Sequence, residues 1–71
     1  MKRNKFLELI GYKFIANHNS KEIHRVTGIT NQCRLLPMTN AEYCSAKTAK
    51  RLIKDSGYNG CRYCYKEADN G

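Results

Sequence analysis

A Cys-x2-Cys pair, Cys61-Arg62-Tyr63-Cys64, follows Gly60 near the end of a chain of 71 residues, with Cys33, Cys44 and His24 upstream. That is enough soft ligand for one tetrahedral metal site. It constrains the fold more than any other feature, because so short a chain buries only a modest core. A bound metal would supply much of the missing stability. Two residues between the cysteines let a turn place both sulfurs on one side of the chain. Gly60 lets the backbone tighten so that its amides face those sulfurs.

Three chemistries compete for the cysteines: structural zinc, disulfides and reactive thiols. The longest apolar runs, Leu9-Ile10 and Phe14-Ile15-Ala16, fall far short of the roughly 18 residues that span a bilayer. Met1-Lys2-Arg3 begins like a secretion signal, but Glu8 and Lys13 interrupt the apolar stretch that such a signal requires. The expectation is a cytoplasmic protein with no membrane association. Thiols stay reduced there, so cysteines with one close pair read as metal ligands rather than as a disulfide framework.

The pair needs two further donors. One set is Cys33, Cys44, Cys61 and Cys64; the other is His24, Cys33, Cys61 and Cys64, with His18 as an outside candidate. The local pattern favours the His24 set. Cys44 closes a short strand just before a helix cap, where a small hydrophobe packs well, and unligated cysteine is among the most buried residue types.

Phe6, Leu9 and Ile10 fall at i, i+3, i+4 spacing and give the first ten residues helical character, which Gly11 ends. Residues 12–16 and 21–26 read as two strands joined by an Asn-rich turn, a β-hairpin with Ile23 on one face and Glu22 and His24 on the other. Residues 27–40 are irregular, and 41–44 make a short third strand. Ser45 caps a helix over 46–56, with Gly57 as its terminating residue. A helical turn follows over 64–68. The candidate core is Phe6, Leu7, Leu9, Ile10, Phe14, Ile15, Ile23, Val26, Ile29, Leu35, Leu36, Leu52 and Ile53. The expected fold class is therefore α+β: a small zinc-stabilised domain with a β-hairpin, a short strand, one main helix and a Cys-x2-Cys knuckle.

Thirteen Lys and Arg face six Asp and Glu, a formal +7. Such a field favours polyanions: DNA, RNA or an acidic protein surface. The helix sorts its residues into an apolar stripe, Ala46, Ala49, Leu52 and Ile53, and a basic stripe, Lys47, Lys50, Arg51 and Lys54. Lys2, Arg3 and Lys5 form a basic N-terminal arm, while Arg34, Arg62 and Lys66 flank the candidate metal site. Tyr58, Tyr63 and Tyr65 near the knuckle are candidates for stacking on bases. The expected nucleic-acid contacts are Lys47, Lys50, Arg51, Lys54 and Arg62. The rival expectation is a zinc-stabilised protein–protein interaction module. A monomer is expected in either case. No Ser-His-Asp set, phosphate loop, dinucleotide fingerprint or zinc-hydrolase pattern occurs.

The run Phe14-Ile15-Ala16-Asn17-His18-Asn19-Ser20-Lys21-Glu22-Ile23-His24-Arg25 resembles the opening of the small Ada-type metal-binding domains. The later segment, a short strand, a Ser-capped helix and Gly57-Tyr58-Asn59-Gly60-Cys61-Arg62-Tyr63-Cys64, is similar to the close of those domains. The resemblance covers about residues 12–66. It implies a zinc domain over 12–68, preceded by a basic segment 1–11 and followed by a tail 69–71. It implies His24 as first ligand, Cys33 as second, Cys61 and Cys64 as third and fourth, and Cys44 as a core residue. Eight residues separate His24 from Cys33, more than the family places between its first two ligands, so Val26-Thr27-Gly28-Ile29-Thr30 must loop out. In the DNA-repair protein that names the family, the first ligand is a cysteine that accepts a methyl group from a DNA phosphotriester. An imidazole cannot do this, so the resemblance implies a structural site and no enzymatic activity.

Overall fold

Local chemistry sets the main helix. Ser45 Oγ accepts the Thr48 N–H at 3.3 Å and starts α2, Ala46–Asp55. The Leu52 carbonyl accepts from both Ser56 and Tyr58, at 3.0 and 3.2 Å, while Gly57 takes the left-handed conformation at φ 72° that ends the helix. Ala49 is fully buried, and Leu52 and Ile53 pack beside it. Ala46, expected in the same stripe, is exposed, so packing starts one turn into the helix. The computed structural model describes residues 1–69, and the end of the expected tail lies outside the described residues.

The hairpin forms as the alternation requires. β1, Phe14–Asn17, pairs antiparallel with β2, Glu22–Arg25, so that Ile15 faces His24 and Ala16 faces Ile23. In the turn, the Asn17 side chain accepts the Asn19 N–H at 3.1 Å. The positive-φ residue is Lys21, at 55°, rather than an asparagine. β3, Ala41–Cys44, adds to the other side of β1, and a two-residue strand β4, Asn59–Gly60, joins β2 in parallel. The order is β3-β1-β2-β4. The fold is thus α+β with a mixed four-stranded sheet.

Both faces of this small sheet are covered. Ala16, Ile23 and Cys44 pack under α2 with Ala49. On the opposite face Ile15 packs with Val26 and Leu35, supported by Met1, Ile29 and Met38. The segment between β2 and β3 supplies most of this second cover, through 3-10 turns at Val26–Gly28 and Asn31–Cys33.

The N-terminal segment docks on the body. Its helix α1, Lys5–Leu9, is capped by Asn4, whose side chain accepts from the Phe6 and Leu7 amides. Phe6, Leu9 and Ile10 were expected in the core; they are 67%, 80% and 55% exposed. The cause is a polar clamp. Glu8 accepts from Arg3 at 2.9 and 2.7 Å and from the Tyr43 hydroxyl at 2.6 Å, and that hydroxyl in turn accepts the Asn4 N–H at 2.8 Å. Holding α1 by its polar side turns its apolar stripe outward. Leu36 is likewise exposed. Among the described residues no helix is long and apolar enough to cross a membrane.

Candidate metal centre

Three segments deliver the four residues of one cluster. His24 comes from β2, Cys33 from the 3-10 turn Asn31–Cys33, and Cys61 and Cys64 from the loop after β4. Their donor atoms all lie within 4.8 Å of one another, and all four residues are buried. Cys33 Sγ is 3.8 Å from Cys61 Sγ, and Cys64 Sγ is 3.4 Å from His24 Nδ1. Tetrahedral bonds of about 2.3 Å to sulfur and about 2.0 Å to nitrogen separate such donors by about 3.5–3.8 Å. The donor set therefore fits a single metal ion.

The backbone prepares the sulfurs for negative charge. The Arg25 N–H donates to Cys64 Sγ at 3.4 Å and the Tyr63 N–H to Cys61 Sγ at 3.4 Å. Burial alone would raise the Cys33 thiol, but hydrogen bonds from Thr30 and the neighbouring thiols bring it below its ordinary value. Burial pushes the Cys61 and Cys64 thiols up. A bound cation reverses that penalty, because it pairs directly with the thiolates.

His24 arrives in the form a metal needs. Burial lowers its pKa, which keeps the imidazole neutral at neutral pH. With Nδ1 on the Cys64 thiol, Nε2 is buried and makes no hydrogen bond among the described residues; the Glu22 carboxylate lies 3.6 Å from it. At that distance the carboxylate stands near the second ring nitrogen but beyond hydrogen-bond range.

The close of the chain locks the knuckle onto the sheet. Cys61 N–H donates to the Ile23 carbonyl at 2.8 Å, and Tyr65 N–H to the Cys61 carbonyl at 2.8 Å. Glu67 accepts a two-pronged ion pair from Arg25, whose guanidinium also lies 5.2 Å over the Tyr65 ring. Tyr65 stacks at a tilt on Phe14, with ring centroids 5.2 Å apart.

The four residues of the favoured ligand set are those brought together. Cys44 lies apart, packed with Ala16, Ile23 and Ala49, and burial raises its thiol to about 11. His18 is also elsewhere: its Nδ1 meets the Tyr58 hydroxyl at 2.6 Å and its Nε2 meets Glu42 at 2.9 Å. Lys47, Lys50, Arg51 and Lys54 are all exposed on α2, across the sheet from the face that carries His24. Arg62 is exposed and lies 5.8 Å over the ring of Tyr63, itself 47% exposed. Tyr58 and Tyr65, expected as stacking partners for bases, are half-buried against the core.

Sequence reasoning missed Thr30 as a support of the centre and Glu22 as the carboxylate nearest His24. Thr30 caps the turn that carries Cys33, accepting the Gln32 N–H at 3.2 Å, and its hydroxyl lies 3.9 Å from Cys33 Sγ. A threonine three residues before a candidate ligand was the available signal. Glu22 was legible as sharing a face with His24, but the distance between them was not. No family model, curated protein or solved structure matches the chain.

Proposed function

We propose that this chain is a small zinc-binding protein whose metal is structural and whose basic α2 face contacts nucleic acid. Three thiolates and one imidazole at tetrahedral spacing suit zinc better than oxygen-seeking cations. Four protein donors leave no corner for water or substrate, so the reading is of a scaffold rather than an enzyme. The ligand order, His24, Cys33, then the Cys61–Cys64 pair, is the order that the resemblance to Ada-type domains implies. His24 in the first place speaks against alkyl transfer.

One observation carries the nucleic-acid reading. Lys47, Lys50, Arg51 and Lys54 are exposed on one helix, and none is ion-paired among the described residues. Of thirteen Lys and Arg, only Arg3 and Arg25 are paired with a carboxylate among the described residues. Arg62 and Tyr63 at the knuckle add an exposed cation and ring for a second contact. A second reading, a protein-interaction module, is favoured by the exposed Phe6, Leu9 and Ile10.

The test is fluorescence anisotropy of the zinc-loaded chain with single-stranded and duplex DNA and RNA across a salt series. Binding should weaken linearly in log–log form, with a slope of about −0.9 per duplex phosphate contacted. Lys50→Glu combined with Arg51→Glu should reduce that slope by about two and leave the melting temperature unchanged. Absence of salt-dependent binding, or indifference to this double variant, rejects the helix face as the contact.

A further inference from the structure

We propose that a cavity beside the loop of Cys33 binds a small carboxylic acid, its carboxylate on Arg3 and Arg34 and its apolar body on Ile29, Leu35 and Leu36. The cavity measures about 330 Å³, and all five of these residues line it. That volume lies at the small end of ligand pockets, which join an apolar wall to a few polar groups.

Charge selects the head group. Arg3 and Arg34 are the only charged residues in the lining. Arg3 is partly engaged: Nε and Nη2 donate to Glu8 at 2.9 and 2.7 Å, while Nη1 has no partner among the described residues. Arg34 is exposed and without an ion pair among the described residues. Two guanidinium groups and the Glu8 carboxylate leave one positive charge, which a monoanion balances. A phosphate monoester carries about −1.5 to −2 at neutral pH and exceeds it. A phosphodiester is a monoanion but offers ester oxygens rather than a body for three apolar side chains. A carboxylate matches the planar guanidinium fork.

The backbone singles out Arg34. It sits at φ 54°, ψ 51°, the left-handed region in which glycine or asparagine is the ordinary occupant. Strained residues of this kind accompany ligand sites. The wall is preformed: Leu35 is buried with Ile15 and Val26, and Glu8 fixes Arg3. Leu36, 78% exposed, has the most apolar surface to bury against a ligand. The site rests neither on the identity of the metal nor on the nucleic-acid reading.

The experiment titrates hexanoate into the metal-loaded, isotope-labelled chain and follows its amide spectrum. Hexanoate should shift residues 29–36 and Arg3, with a Kd of about 1 mM for so small a ligand. Acetate, which lacks the body, and hexanol, which lacks the charge, should bind about tenfold more weakly or worse. Arg34→Gln should weaken hexanoate about tenfold and leave hexanol unchanged. Arg34→Gly should show the same loss while relieving the left-handed strain, so that a folding defect does not explain it. Leu36→Ser, at an exposed position, should weaken hexanoate and leave acetate unchanged. Hexyl phosphate and dimethyl phosphate probe other anions, and N-acetylglycylleucine probes a polypeptide C-terminus as the source of the carboxylate. Four results overturn the proposal: shifts that spare residues 29–36, hexanoate binding indifferent to both Arg34 variants, acetate or hexanol binding as tightly as hexanoate, and equal or tighter binding of either phosphate or of the peptide.

Discussion

Cys33 and Cys44 are equally buried, each 6% exposed, yet serine at the two positions should do different things. Cys33→Ser removes a sulfur that lies 3.8 Å from Cys61 Sγ within the donor cluster. Structural zinc sites bind with an apparent free energy of about 10–16 kcal/mol, so an even share for one of four donors is about 2.5–4 kcal/mol. That corresponds to a loss of about 100- to 1000-fold in metal affinity. Cys44→Ser instead places a hydroxyl among Ala16, Ile23 and Ala49. Burying an unsatisfied hydroxyl costs about 1–3 kcal/mol, less than the roughly 4–10 kcal/mol that holds a domain of this size. The Cys44 variant should therefore fold, melt earlier and bind one metal with unchanged affinity. Cobalt(II) titration reads the two cases apart, because its visible and charge-transfer bands report tetrahedral geometry and thiolate ligation. Urea melts give the stability difference. Equal loss of cobalt affinity in both variants, or a Cys33 variant that binds as the parent does, would refute the ligand assignment.

Chelation of the metal should unfold the domain, since the cluster ties β2, the central loop and the knuckle together; a dispersed amide spectrum after complete metal removal would contradict this. Hydrogen bonds from Arg3, then from Tyr43, hold the Glu8 carboxyl down at about 2 against an ordinary 4.5. A folded value below the unfolded one gives stability that is fully present above the ordinary carboxylate range and is lost as pH falls toward the folded value. Glu8→Gln should therefore cost about 1 kcal/mol at neutral pH, a figure discounted because the Arg3 partner is substantially exposed. The cost should be flat across the neutral range and shrink on acidification in urea melts; growth at low pH would overturn it. Gly60→Ala would put a Cβ 2.5 Å from the Tyr65 carbonyl oxygen and 2.6 Å from Ala68 Cβ. The turn behind the knuckle must then shift, at about 1–3 kcal/mol, with weaker metal binding. Gly57→Ala meets no atom within 4 Å and should cost only left-handed strain of about 1 kcal/mol, with metal affinity unchanged.

Much of the fold was legible because its signals act over a few residues. Ser45 and Gly57 bracket α2 through hydrogen bonds and a backbone conformation confined to the helix ends. The period of two in β2 put Glu22 and His24 on one face before any partner strand was known. Two features were not legible: the last strand, and what the N-terminal apolar stripe faces. β4 is two residues long, too short to carry a period, and exists because Cys61 and Asn59 bond to the β2 side of the hairpin. The stripe of Phe6, Leu9 and Ile10 was visible, but periodicity shows that a face exists and not what it faces. A clamp between Glu8 and Tyr43, 35 residues apart, decided that.

The sequence by itself determined the donor chemistry: a tight cysteine pair, a short list of further donors and a small core that a staple would strengthen. Which donors join was decided by strand register. β1 places Phe14 opposite Cys44 and Ile15 opposite His24. Consecutive residues of a strand point to opposite faces, so the thiol goes under α2 and the imidazole to the face closed by the central loop. That single alternation separates the core cysteine from the metal cluster; the local pattern around Cys44 pointed to the core, but the pairing that puts the two side chains on opposite faces is tertiary.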